Sequence, residues 1–442
     1  MNKKILKESF WSTFSAAVVL LLATAAHAGA YLHWESSAFL LNYTMDRPFL
    51  EIIFDPDRND WGFYQCRELS YVLDYFDAHL VLFLLKNKII WFISPVCIIL
   101  ILFCIWIQQY AGRRLFPRLP GIFFTMHALA LALLPSFTET LFYRSSKLLT
   151  AAGLSVVIFG TALRFIRNSG FWGRTSTIAV AALITVLADR QGVFFITAFT
   201  GIMAVWQYFH SSRQLKDVLR AAAAAVITGV AANVLAVPLI IKVTNGYFPD
   251  FSYQVDFRHD PAVFPDALQF MLGNTGHCFC GEILPDNAVV QGVILLVCML
   301  FLLYRHRYIS PLLLCGSAAA VTLCSFLMIS RHNAIMDSNV IFSGYFVPSM
   351  VIFTFFLFAA FDRLPERVRK FIFLVPAAVI YLRLTPYIKP EYLFKDDRYQ
   401  KVYQDATHRL RYAIENPDCN YRTLILPYRM ERLLEKLGSG TR

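Results

Sequence analysis

The sequence predicts an all-helical protein that crosses a membrane about eleven times, with a long acidic loop after the first crossing. Three observations carry that prediction. Apolar runs of about eighteen or more residues, the length that spans a bilayer, recur along the whole chain. Of 442 residues, 57% are hydrophobic and only 16% charged, with a mean hydropathy of +0.51; a soluble domain carries roughly 25% charged residues. The basic residues also gather in alternate loops, as they do around membrane spans.

The first span covers roughly 10–30, behind Lys3, Lys4 and Lys7 and ahead of Ala26-His27-Ala28. A cleaved leader has the same features. An uncleaved first span is expected here, because a multispanning protein is oriented by the charges flanking its helices.

Segment 31–78 follows, with Glu35, Asp46, Glu51, Asp55, Asp57, Asp60, Glu68, Asp74 and Asp77. A chain that only turns round between spans needs a few residues, so a loop of this length and charge is a surface built to meet something. Asp55-Pro56-Asp57-Arg58-Asn59-Asp60 lacks the glycine and final glutamate of a calcium loop and reads as a turn. Asp46 is stiffened by Pro48, and an acid held near the bilayer surface suits general-base work on a hydroxyl or amine. From 67 to 83, Leu69, Leu73, Phe76, Leu80 and Phe83 recur on one helical face. Arg67, Ser70, Asp74 and Asp77 share another, flanked by Glu68, Tyr71 and Tyr75. The expectation is a helix lying on the membrane, apolar side down and carboxylates up. In an isolated helix that polar face is ordinarily just solvated.

The next spans fall roughly at 89–110, 119–135, 148–165, 175–189, 192–209 and 221–243. Their outer turns hold Glu139, Arg144 and Lys147, then Asp189-Arg190-Gln191-Gly192. A second large loop, 244–287, contains Asp250, Asp256, Arg258, His259 and Asp260. Spans at roughly 288–304, 310–329, 340–361 and 371–388 complete the bundle, with Arg331-His332-Asn333 in an outer turn. The tail from Lys389 is expected to form a small outer cap, helical over 397–415, turning at Asn416-Pro417-Asp418, with a short strand at 423–426.

Lys3, Lys4, Lys7, Arg113, Arg114, Arg118, Arg164, Arg167, Arg174, Arg213, Lys216, Arg220, Arg305, Arg307, Arg363, Arg367, Arg369 and Lys370 all fall on one side. That side is therefore cytoplasmic, and the net charge of +11 is largely topology rather than a nucleic-acid footprint. An integral protein of a bacterial inner membrane, with its working face outside, is expected. Few ionisable residues lie deep in the spans, His127 being one, which argues against a charge-coupled transporter. Cys97, Cys104, Cys298, Cys315 and Cys324 read as packing residues, whereas Cys66, Cys278, Cys280 and Cys419 lie outside, where disulfides or free thiols are both open.

Taken together, Met45-Asp46-Arg47-Pro48, YQCRELSYVLDYFD over 64–77, ADRQG over 188–192 and GYFVP over 344–348 resemble the GT-C superfamily. These are multispanning glycosyltransferases that use a sugar carried on a polyprenyl phosphate or diphosphate, and include the protein O-mannosyltransferases and aminoarabinose transferases. The likeness is architectural and runs over most of the chain. It implies an inverting transfer with the lipid phosphate as leaving group, to a glycan, lipid or protein acceptor. Those transferases carry an adjacent Asp-Glu pair soon after the first span. That pair is missing here, so Asp46, or alternatively Glu35, would serve as general base. Arg190, Arg331, Arg67 and Arg144 are the implied phosphate partners. Glu68, Asp74, Asp77, Tyr71 and His332 would contact sugar or acceptor, and Asp74 with Asp77 would hold a divalent metal, Mg or Mn, where one is used.

Two other functions fit the same composition. A lipid-linked oligosaccharide polymerase or ligase would work through the 244–287 loop. A transporter or flippase would show inverted repeats and midplane charges, neither of which stands out.

Overall fold

The computed structural model describes residues 3–25, 28–29, 32, 34–55, 67–134, 137, 141, 145–164, 171–210, 213–249, 347–387 and 400–438, with isolated helical positions at 272, 290, 293 and 297. Among these residues the regular structure is all helical. In chain order the main helices are α1 (Lys3–Ala25), α2 (Trp34–Tyr43), α3 (Phe49–Ile53), α4 (Glu68–Lys86), α5 (Pro95–Leu115) and α6 (Gly121–Leu133). They continue with α7 (Ser146–Arg164), α8 (Thr175–Ala188), α9 (Gln191–His210), α10 (Arg213–Ala231) and α11 (Val237–Asn245). After them come α12 (Val347–Asp362), α13 (Leu374–Tyr387), α14 (Gln400–Glu415) and α15 (Tyr428–Leu437).

Each expected span within the described residues coincides with one of these helices; the spans at 288–304 and 310–329 lie outside them. Among the described residues, four helical runs are long and apolar enough to cross a bilayer: Lys3–Ala25, Pro95–Leu115, Ser146–Arg164 and Leu215–Asn245. The last joins α10 to α11 through a π-helical turn at Ala232–Ala236. Its 31 residues make a rod of about 46 Å at 1.5 Å per residue, longer than the ~30 Å hydrocarbon layer. The surplus length rises to pack α11 on α3, where Asn245 Nδ2 donates to the Phe54 carbonyl at 2.8 Å.

In the bundle α7 is central, packed against α5, α8 and α12, while α1 packs against α5 and α6. Small residues set the closest contact. A Cβ on Gly153 would stand 2.2 Å from Thr185 Oγ1 and 3.0 Å from the Ala181 carbonyl, so α7 and α8 meet backbone to backbone. Apolar helices in lipid gain nothing from the hydrophobic effect on meeting one another, and such close packing is what holds them together.

The helix ends sort as the charge pattern requires. Arg113 reaches Glu8 at 3.3 Å, and the Arg118 amide donates to Asp362 at 2.9 Å, which gathers the basic ends on one side. On the opposite side the Leu32 amide donates to Thr407 Oγ1 at 3.0 Å, so the first loop and the tail share a face. There α2, α3, α4, the end of α11, α14 and α15 enclose a second apolar core containing Tyr43, Ile53, Tyr71, Leu85, Ile241, Leu410, Met430 and Leu434.

The tail corrects one expectation. Segment 423–426 is not a strand: a 3-10 turn at Tyr421–Leu424 leads through Pro427 into α15. The reason is the apolar rhythm just beyond, where Met430, Leu433 and Leu434 form one buried helical stripe.

Gly153→Ala is expected to lower the thermal unfolding midpoint of the detergent-solubilised protein, at an overpacking cost of about 1–3 kcal/mol. Adding Thr185→Ala should recover part of the loss. An unchanged midpoint in the single variant would refute the backbone contact between α7 and α8.

Candidate functional site

The polar face of α4 is turned inward, onto the outer ends of the spans. Ser70 Oγ donates to the Ala188 carbonyl at the end of α8, at 2.7 Å. Asp74 Oδ1 accepts from the Ser145 amide, which opens α7, at 3.1 Å. Asp77 Oδ1 accepts from the Val96 amide at the start of α5, at 3.0 Å. The first amides of a helix have no partner in their own helix and carry its positive dipole end, so a carboxylate is their natural acceptor. The expectation of carboxylates raised into water is corrected accordingly: Asp74 and Asp77 are 2% and 3% exposed. The apolar side of α4 faces outward instead, with Phe76 and Phe83 58% and 62% exposed.

Asp74 and Asp77 are thus each bonded to a different helix start. Tyr71 is fully buried in the outer core beside Tyr43, with ring centroids 6.5 Å apart. Among the described residues no group of three or more His, Cys, Asp or Glu side chains is placed to hold a metal ion.

Just ahead of α4 the picture changes. Arg67 Nε lies 3.3 Å from Asp189 Oδ2, and Lys147 Nζ lies 2.7 Å from the same oxygen. Lys147 also donates to Gln191 Oε1. Asp189 Oδ1 accepts from the Gln191 amide at 3.0 Å and so caps α9. Burial alone would push the Asp189 carboxyl up; Lys147, then Arg67, outweigh it and hold the group well below the ordinary carboxylate range. Its stabilising contribution therefore persists at neutral pH and is lost only as pH falls below that range. One residue further along, the Asn233 amide, turned so that its nitrogen faces the carboxylate, donates to both Glu68 oxygens at 3.0 and 3.2 Å. Asn233 belongs to the π-helical turn between α10 and α11 and is buried.

The expected residues thus divide. Arg67 and Glu68 come together at one junction, and Arg190 occupies the turn that carries Asp189 and Gln191. Asp46 lies apart from that network, exposed in the turn after α2; the tail's Lys436 senses its charge. Its neighbour Arg47 pairs with Asp55 at 2.5 Å and Glu51 at 3.5 Å. Glu35 falls in the first turn of α2. Arg144, Arg331 and His332 lie outside the described residues.

Lys147, Asp189, Gln191 and Asn233 were not expected as site residues. The turn at 189–192 and the basic pair before α7 were visible in the sequence, but their meeting with Arg67 depends on how α4 lies. Asn233 gave no signal, being one amide in an apolar run.

The junction places two cations around a single buried carboxylate, with a third in the adjoining turn, at the level where the spans end. Such a place can offer an anion the Arg67 and Lys147 cations beside the amide-rich start of α4.

No protein-family model matches the sequence, and no curated protein matches it. Solved structures do share its fold. ArnT from Cupriavidus metallidurans in the apo state superposes with a TM-score of 0.50 over 97% of this chain and 74% of its own, at 15% identity. The same protein bound to undecaprenyl phosphate gives 0.50 over 98% and 75%, at 14% identity. The chain therefore shares the fold of that protein.

Burial raises the Asp77 carboxyl to about 6, against its bonds from Ser94 and Val96. A carboxylate raised in the folded state costs stability above that pH, and the cost is relieved as pH falls through about 6 toward the ordinary value near 4. Asp77→Asn keeps an acceptor for Val96 and should abolish this dependence, with a melting temperature at neutral pH equal to wild type or higher. A melting curve still rising between pH 7 and 5 in that variant would show that another group is responsible.

Proposed function

We infer that this chain is a membrane glycosyltransferase that moves a sugar from a polyprenyl phosphate or diphosphate to an acceptor at the outer face of a bacterial inner membrane. The observation that carries this reading is the Arg67–Asp189–Lys147 junction, two cations held on one carboxylate at the ends of apolar helices in a bundle whose fold ArnT shares. A lipid phosphate donor needs apolar surface for its chain and cations at the interface for its head group, and the apolar helices and these cations suit that need.

In the transfer, a carboxylate takes the proton of the acceptor hydroxyl or amine as its oxygen or nitrogen attacks the anomeric carbon. The bond from that carbon to the phosphate oxygen breaks, and the lipid phosphate leaves with the electron pair. Arg67, Lys147 and Arg190 stabilise the charge gathering on the phosphate. Arg144 and Arg331 are further candidates for that role. Asp189 keeps Lys147 and Arg67 fixed in place. Glu68, one residue from Arg67, and His332 are proposed to meet the sugar. The base is an acid of the first loop, either Asp46, whose exposure suits an incoming acceptor, or Glu35 at the start of α2.

Membranes containing the protein, supplied with a labelled polyprenyl-phosphate sugar, test this directly. Lys147→Ala and Arg67→Ala are expected to cut transfer by about 100-fold or more, as loss of a preorganised charge partner does. Asp46→Asn or Glu35→Gln should abolish it, whichever residue is the base. Full transfer in Lys147→Ala and Arg67→Ala at normal expression would remove the phosphate site from this junction. Survival of both acid variants would remove the first loop as the source of the base.

A further inference from the structure

We propose that the carboxy-terminal helices place the catalytic acid by clasping α2 at both of its ends, with Lys436 and Thr407 as positioning residues. This rests on the transferase reading above and concerns what fixes its base.

Ten residues of helix make a rod of about 15 Å, too short to hold its shape in water without packing. After its last turn α2 passes into the irregular segment Thr44–Pro48. Glu35 stands in its first turn and Asp46 three residues beyond its last. The position of either acid is therefore set by whatever holds α2. Leu40 and Tyr43 of α2 share the outer core with Leu410 of α14 and with Met430, Leu433 and Leu434 of α15. Two hydrogen bonds then fix its ends. The Leu32 amide, three residues before Glu35, donates to the buried hydroxyl of Thr407 at 3.0 Å. At the other end Lys436 Nζ donates to the Thr44 carbonyl, two residues before Asp46, and lies 3.3 Å from Thr44 Oγ1. Thr44 Oγ1 in turn donates to the Leu40 carbonyl at 2.5 Å, tying that turn back to the helix. Burial of the Lys436 ammonium opposes its charge, and Asp46 offsets part of that cost while Lys86 adds to it. A partly buried lysine aimed at one backbone carbonyl is a latch with a defined target, more than a tail resting on a surface.

Each clasp therefore lies within three residues of one candidate acid, and the two should act separately. If Asp46 is the base, Lys436→Ala is expected to lower kcat at least about ten-fold, since a small misplacement of a reacting group costs that much or more. If Glu35 is the base, the loss falls on Thr407→Val. In either case the KM for the polyprenyl-phosphate sugar should stay within two-fold, because the donor site at Arg67 and Lys147 is untouched. Lys436→Arg or Thr407→Ser should restore most of the rate, which a general loss of folding would not allow. Hydrogen exchange should show faster opening of residues 32–47 in the affected variant. An active wild type with both Lys436→Ala and Thr407→Val at full kcat overturns the clasp alone. A wild type that transfers no sugar from any polyprenyl-phosphate donor overturns the transferase reading and the positioning role with it, even where the exchange result still shows that the tail secures α2.

Discussion

The outer half of this molecule depends on how α4 satisfies the helix ends beneath it. Spans that stop at an interface leave unpaired amides and carbonyls, and these are expensive to leave bare where water is scarce. One interfacial helix answers several of them at once. Ser70 takes the end of α8, Asp74 the start of α7 and Asp77 the start of α5, and these contacts are spaced one helical turn apart. With α4 pinned at three points, Arg67 at its leading edge has little choice of position. It meets Asp189 because Ser70, one turn on, is bonded to the residue just before Asp189.

That dependence explains which parts of the molecule were legible in the sequence. The spans were, because a bilayer demands long apolar runs, and every expected span within the described residues has its helix. The gathering of basic helix ends was too, since Arg113 of α5 meets Glu8 of α1. The extent of α4 was readable from the spacing of Leu69, Leu73, Phe76, Leu80 and Phe83, but its facing was not. Periodicity separates two faces without saying which one meets protein. Carboxylates on a surface helix ordinarily seek water; here unpaired amides on neighbouring spans compete for them and win. For the same reason the cluster at Arg67 was legible only as scattered parts, as its members come from three turns distant in sequence.

The distinction between structural and functional acids follows from the same competition. Asp74 and Asp77 bind backbone amides and are closed to solvent, so they hold the frame. Asp189 is also buried, but its partners are two side-chain cations, Arg67 and Lys147. A buried pair in balance only preserves the fold, and removing one partner of it is costly. Arg67 and Lys147 stand where α4 begins and beside the start of α9, two amide-rich ends that attract an anion in the same direction as the cations.

Charge on the two sides of the membrane therefore has different physical origins. The inner basic residues lie in short connections, where their abundance orients the spans. At the other end several cations have a defined partner: Arg67 and Lys147 have Asp189, Arg47 has Asp55, Lys436 has the Thr44 carbonyl. Arg47 is balanced by nearby acids and Lys436 by a carbonyl. Arg67 and Lys147 instead converge on the Asp189 carboxylate, which holds the two cations side by side. Fixed in that way beside the amide-rich start of α4, they form a grouping placed to meet an anion.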